Sequence, residues 1–302
     1  MMIRLFPCAA VILLLSGCAG SATRPSPDAE YYGTLDPFAA HAVYFVVTDR
    51  FADGDPDNNY PEQGGSDALR TFDRPITDLA GRSGNIGYLG GDFRGILDHA
   101  DYISDMGFGA LWLTPIVSNP DQAFTGGDKL GEGFFADRGK TGYHGYWGVN
   151  FYEQDEHLVS DGLAFKDLTR ALREEHDLMT VLDIVCNHGS PSYSMPVDQP
   201  MYGELYDGDG TLIADHQNRH PTELSADEPL HAFFHREPDL AQLSNNDDTN
   251  PAVLDYYVNA YLKWIDHGAQ AFRIDTIRHM PHAYWKAFSD RIRAEHPGFF
   301  MF

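Results

Sequence analysis

Basic residues are scarce in this chain. Lysine and arginine together number 21 against 45 aspartates and glutamates in 302 residues, a formal net charge of -24. So negative a surface argues against a nucleic-acid or anionic-membrane face overall and favours neutral or cationic ligands. Long apolar runs are also lacking: the one within Met1 to Cys18 is too short to span a bilayer as a helix. No internal repeat or low-complexity tract occurs. Cysteine is rare, at Cys8, Cys18 and Cys186 only. What is present is a 43% hydrophobic composition, ample for a large core and for one big domain with an excursion. Aromatics make up 13%, with 16 tyrosines and 4 tryptophans, which suit stacking on sugar rings but are also ordinary packing material.

Met1 to Cys18 has Arg4, an apolar run through Leu15 and then small residues, the pattern of a secretory signal peptide. Leu15-Ser16-Gly17-Cys18 resembles the bacterial lipobox, which implies that Cys18 becomes the lipidated first residue of the mature protein. A plain cleaved signal with an incidental cysteine is the alternative. Ala19, not aspartate, follows Cys18, and this implies an outer-membrane lipoprotein, periplasmic or surface-facing. Residues 19–38 then form a polar tether. Cys186 is left alone, so no intramolecular disulfide is expected in the mature chain.

From residue 39 onward, apolar runs alternate with amphipathic ones. Ala42 to Thr48, Ala110 to Pro115 and Met179 to His188 read as buried strands. Gly95 to Gly107, Leu163 to Glu175, Pro251 to His267 and His282 to Glu295 carry apolar residues at helical spacing. Gly142 to His157 reads as an aromatic loop, and Phe299 to Phe302 begins a fifth strand. This rhythm predicts parallel β/α units. It is lost over residues 189–249, an irregular excursion between a first barrel part at 39–188 and a second at 250–302.

Two stretches carry chemistry. In Ala269 to His279, Arg273 and Asp275 interrupt an apolar strand two residues apart, so they share a face. An aspartate beside a guanidinium is held ionised, as a carboxylate nucleophile must be. A structural ion pair at a strand end is the competing explanation. In Asp49 to Asn59, short oxygen-bearing side chains crowd a Gly/Pro turn. Such a turn lets several oxygens converge on a hard cation, although the spacing is not that of an EF-hand and a solvated loop has the same composition.

These residues resemble the α-amylase family of retaining glycoside hydrolases and transglycosylases. Asp183-Ile184-Val185-Cys186-Asn187-His188 resembles the family's D-x-V-x-N-H motif on barrel strand three. Ala271-Phe272-Arg273-Ile274-Asp275 with Arg278-His279 resembles G-F-R-x-D-x-x-K-H on strand four. Gly107 to Pro115, Tyr143 to Trp147 and Pro238 to Ser244 resemble three further motifs in family order. The resemblance implies a (β/α)8 TIM barrel, incomplete here at about four to five strands, with an irregular domain B inserted after strand three. It implies that Asp275 is the catalytic nucleophile and that Arg273 keeps it ionised and oriented. Tyr146, Asp183, His188 and His279 would line subsite -1, with His144 and Trp147 flanking them, and Arg278 would stand on the acceptor side in place of the usual lysine.

Calcium is the implied cofactor. One set, resembling that of cyclodextrin glucanotransferases, is Asp53, Asp55, Asn58, Asn59, Gly90 and Asp92; another is Asn187, Asp239 and the main-chain carbonyl of His279. Either ion would be structural. Ala271 replaces the family's glycine, Asn150 stands where many members have aspartate, and Cys186 is expected to be a buried thiol. The family's acid glutamate and third carboxylate are expected beyond Phe302, so the 302 residues are read as the N-terminal part of a longer, monomeric enzyme and as inactive alone. The expected reaction is hydrolysis of α-1,4-glucosidic bonds in starch-like glucans. A cyclodextrin glucanotransferase-type transglycosylase is the alternative within the family, and a non-catalytic glucan-binding surface lipoprotein the alternative outside it.

Overall fold

The computed structural model describes residues 36–60, 70–77, 80–127 and 138–302. Cys18 and nearly all of the tether fall outside them. Among the described residues no helix is long and apolar enough to cross a membrane.

Five parallel strands form the central sheet in chain order: β1 (Val43–Val46), β2 (Ala110–Leu113), β3 (Met179–Ile184), β4 (Ala271–Ile274) and β5 (Phe300–Met301). Helices α1 (Phe93–Asp98), α2 (Ala100–Asp105), α3 (Phe165–His176), α4 (Pro251–Asp266) and α5 (His282–Glu295) alternate with them. This is the expected partial (β/α) barrel. The Asn250 side chain accepts from the Ala252 N–H and Pro251 occupies the first turn of α4, so two amide positions that lack helical partners are dealt with. Gly268, at φ +104, ends that helix.

The structure corrects three expectations. The helix expected from Gly95 to Gly107 is two, because His99 leaves helical geometry (φ -112, ψ 11) while its Nδ1 bonds Gly95 O at 2.8 Å. The strand expected to run from Met179 to His188 stops at Ile184. Beyond it, Tyr261 Oη donates to Val185 O (2.7 Å) and accepts from Val185 N (2.8 Å), and Asn246 Nδ2 donates to Cys186 O (2.9 Å). Side chains thus replace the strand ladder, and His188–Pro191 pairs antiparallel with Leu243–Asn245 instead. Thirdly, the aromatic loop contains a strand, Asn150–Gln154. It joins Val117–Ser118, Glu204–Tyr206 and Leu212–Asp215 in a four-stranded sheet, so the excursion shares a layer with the segment after β2.

The core between sheet and helices is aromatic. Phe151, Phe165, Tyr257, Tyr261, Trp264, Phe272 and Phe288 are each less than 2% exposed. Burying a side chain of this size contributes roughly 1.5–3 kcal/mol, provided its polar tip is bonded. Trp264 Nε1 meets that condition by donating to Phe151 O at 2.8 Å. Cys186 lies in the same core, where burial pushes its thiol pKa up, away from nucleophilic use.

Candidate active site

The site forms at the C-terminal ends of β2, β3 and β4. In the parallel ladder Arg273 of β4 stands level with Asp183 of β3, so their side chains leave the sheet on the same face. Arg273 Nη1 donates to both carboxylate oxygens of Asp183 at 3.1 Å and to Asp275 Oδ1 at 2.7 Å. One guanidinium therefore clamps two aspartates. Asp275 follows the strand end, where its N–H donates to Ile184 O at 2.9 Å. Thr276, next in the chain, adopts left-handed backbone (φ 50), which a β-branched residue rarely does. The strained turn sends the chain into the single 3₁₀ turn Ile277–His279.

Asp183 is 1% exposed, and three donors converge on its Oδ2: Tyr146 Oη (2.7 Å), Trp112 Nε1 (3.0 Å) and Arg273. Burial pushes its carboxyl up to about 6, against the opposing pull of the Tyr146 hydrogen bond and of Arg273. The Arg273 guanidinium lies 5.1 Å from the Trp112 ring centroid, a cation–π contact. Trp112 was missing from the residues singled out above. Its signal was an N–H-bearing aromatic in an otherwise aliphatic strand, Ala110–Leu113.

Of the other expected residues, His188 is 3% exposed and burial lowers its pKa to about 4. Its imidazole is therefore neutral at physiological pH. His144 is likewise held neutral by burial, with Lys140, His188 and Arg50 adding to the effect, and its Nδ1 accepts from Tyr146 N at 3.1 Å. Trp147, 5% exposed, packs among Phe124, Met195, Tyr202 and Leu243, so it supports the loop from beneath. Arg278 is exposed and borders a cavity with Ile277, Met280 and Trp285.

The two oxygen-rich sets differ in how far they converge. Asp92, 0% exposed, accepts from Gly54 N, Asp55 N, Asn58 Nδ2 and Gly95 N between 2.7 and 3.2 Å, tying the turn to the start of α1. Asp55 is spent on the N–H groups of Asp57 and Asp161. Asn59 Nδ2 reaches Asp53 Oδ2 at 3.0 Å, whereas Asn58 Oδ1 and Asn59 Oδ1 are buried with no partner. A Cβ on Gly90, at φ +91, would sit 2.3 Å from Asn59 Oδ1 and 3.0 Å from Asp53 Oδ2. Carboxylate, two orphaned amide oxygens and a glycine cradle fit a hard cation. In the other set the Asp239 carboxylate bonds the His279 ring Nδ1 at 3.0 Å, and the Asn187 amide faces His188 Nδ1 at 3.5 Å. These contacts do not draw Asn187 and Asp239 together.

The strand ends of this partial (β/α) barrel thus carry two aspartates bridged by one arginine. The profile of the alpha amylase catalytic domain matches residues 45–210, and the chain belongs to that family. It is 31% identical to a cyclomaltodextrin glucanotransferase from Klebsiella oxytoca, over 94% of this chain and 40% of that protein. It is 26% identical to an alpha-amylase from Niallia circulans, over 96% of this chain and 52% of that protein. Among solved structures it resembles a cyclomaltodextrin glucanotransferase with a three-domain ABC distribution (TM-score 0.67, 27% identity, 85% of this chain and 49% of that one). An Anoxybacillus alpha-amylase is also similar (TM-score 0.57, 26% identity, 86% and 46%). The chain thus spans between a third and about half of the length of such relatives.

Proposed function

We propose that the complete protein cleaves α-1,4-glucosidic bonds of starch-like glucans with retention, through a covalent glucosyl intermediate on Asp275. The observation that carries this reading is the Arg273 clamp, which fixes Asp275 Oδ1 at 2.7 Å beside the strand ends. Asp275 attacks the anomeric carbon, an acid protonates the departing glycosidic oxygen, and water then releases the sugar. Asp183 is not cast as that acid, because Tyr146, Trp112 and Arg273 all donate into it and make it an acceptor. The acid is expected from chain following β5, about 5 to 5.5 Å from Asp275, and the 302 residues alone are expected to be inactive. Tyr146 would stack on the sugar, while His188, held neutral by burial, and His279 would bond its hydroxyls.

Asp53, Asn58, Asn59 and Gly90 would hold a calcium ion, which when bound fixes the turn after β1 by charge and coordination. Asp55 and Asp92, and the second set at Asn187, Asp239 and His279, belong to the same proposal with weaker convergence. A lipid at Cys18 would hold the protein at the outer membrane through the 19–38 tether. Replacing Asp275 with asparagine in the full-length protein should cut starch hydrolysis to roughly a thousandth or less; substantial remaining turnover contradicts the assignment. A transglycosylase reading is favoured by the cyclomaltodextrin glucanotransferase names of several relatives. Cyclic rather than linear products from soluble starch would establish it.

A further inference from the structure

At the opposite, N-terminal end of the sheet, a cavity of about 590 Å³ opens between α3 and the end of α4. Its volume falls within the range of small-ligand clefts. Gln270 and Phe299, the residues just before β4 and β5, form part of its floor together with Ala269 and Ile265. Ala269 and Phe299 are 3% and 8% exposed, so this floor is apolar and backed by core. Its rim is cationic: Lys166, Arg170 and Arg173 line it from one face of α3. Lys166 and Arg173 stand about 10 Å apart along the helix axis.

Cations are rare in this chain, and several described arginines, among them Arg50, Arg273, Arg291 and Arg293, face a carboxylate or a carbonyl. Arg170 bonds Asp167 at 2.9 Å. Among the described residues, however, the side chains of Lys166 and Arg173 have no ion-pair partner. The one acid on the rim, Asp266, lies 3.7 Å from His296 Nε2. The carbonyls ending α4 would repel an anion, but Thr169 Oγ1 donates to His267 O at 2.7 Å and covers one of them. His267 Nδ1 is sheltered without a partner.

We propose that this cavity binds an amphipathic anion, its apolar body on Ile265, Ala269 and Phe299 and its carboxylate or phosphate between Lys166 and Arg173. Such an anion could be free in solution or be the headgroup and proximal chain of an anionic lipid. The pocket and the strand-end site lie at opposite ends of the sheet, so occupancy leaves Asp275 open.

Calorimetric titration of the full chain with sodium decanoate at low salt should show one saturable site. The double variant Lys166→Glu, Arg173→Glu should weaken it at least about tenfold, with circular dichroism unchanged, as both residues are exposed. Lys286→Glu, 75% exposed on α5, should leave it unaltered. Co-sedimentation with phosphatidylglycerol but not phosphatidylcholine vesicles, lost in the double variant, would assign the lipid source; decanoate binding alone would assign a free anion. No binding in either arm, binding that survives the double variant, or an equal loss in Lys286→Glu overturns the proposal.

Discussion

Two polar clusters of this molecule use the same oxygen chemistry to opposite ends. At the strand ends, the Asp183 carboxylate is saturated by Tyr146, Trp112 and Arg273, and Arg273 goes on to hold Asp275. In the turn after β1, Asn58 Oδ1 and Asn59 Oδ1 are buried and bonded to nothing. A saturated network is rigid before any ligand arrives, as a reaction centre must be. Orphaned oxygens are costly unless something outside the chain completes them. The contrast separates a network that is complete in itself from one whose buried oxygens lack partners among the described residues.

The contrast can be broken most severely at Arg273. Arg273→Leu leaves Asp183 and Asp275 facing each other without their shared cation, and kcat/KM on maltooligosaccharides for the full-length protein should fall by on the order of 10²–10³-fold. A loss under tenfold would mean that the guanidinium does not orient the nucleophile. The turn should respond to metal instead. Calcium at about 100 times its Kd should add about 2.7 kcal/mol of stability, seen as a rise in Tm that a chelator reverses and that Asp53→Ala, Asn59→Ala abolishes. A Tm indifferent to calcium would return the turn to an ordinary solvated loop.

Trp112→Phe keeps a ring under Arg273 but removes the N–H donated to Asp183. About 1 kcal/mol, or roughly fivefold in kcat, is expected, with KM nearly unchanged. A further effect concerns protons. His188 titrates at about 4 in the fold against 6.5 ordinarily, so on acidification the unfolded chain takes up its proton first. Its contribution is full above about pH 6.5 and is lost as pH falls towards 4. Denaturant melts of His188→Gln should therefore show a shallower loss of stability between those pH values; an unchanged slope would place the titration elsewhere.

Long amphipathic periods were readable in the chain because their causes are local. Asn250, Pro251 and Gly268 bracket α4, and the expected span of α5, His282 to Glu295, is the observed one. The strand-end site was readable because Arg273 and Asp275 break an apolar run and Asp183 breaks another. The four-stranded sheet was not, since its members are two to five residues long and its pairings reach from Val117 to Asp215. No local periodicity encodes such partners. The break at His99 escaped for a similar reason: the apolar spacing continues through it, while the backbone leaves helical geometry where the ring bonds Gly95 O. Trp112 was hidden by its own hydrophobicity, because an indole looks like core until its N–H finds a carboxylate.

The level pairing of Arg273 with Asp183 across β4 and β3 has one more consequence. Slide either strand by a single residue and the alternation of the pleat turns one of the two side chains to the far side of the sheet. A chain that closes its barrel out of step would still bury aliphatic side chains, yet its strand ends would lack the clamp of Arg273 on Asp183 and Asp275. Under the proposed function, specific activity per folded molecule would gauge how faithfully the strands have been aligned.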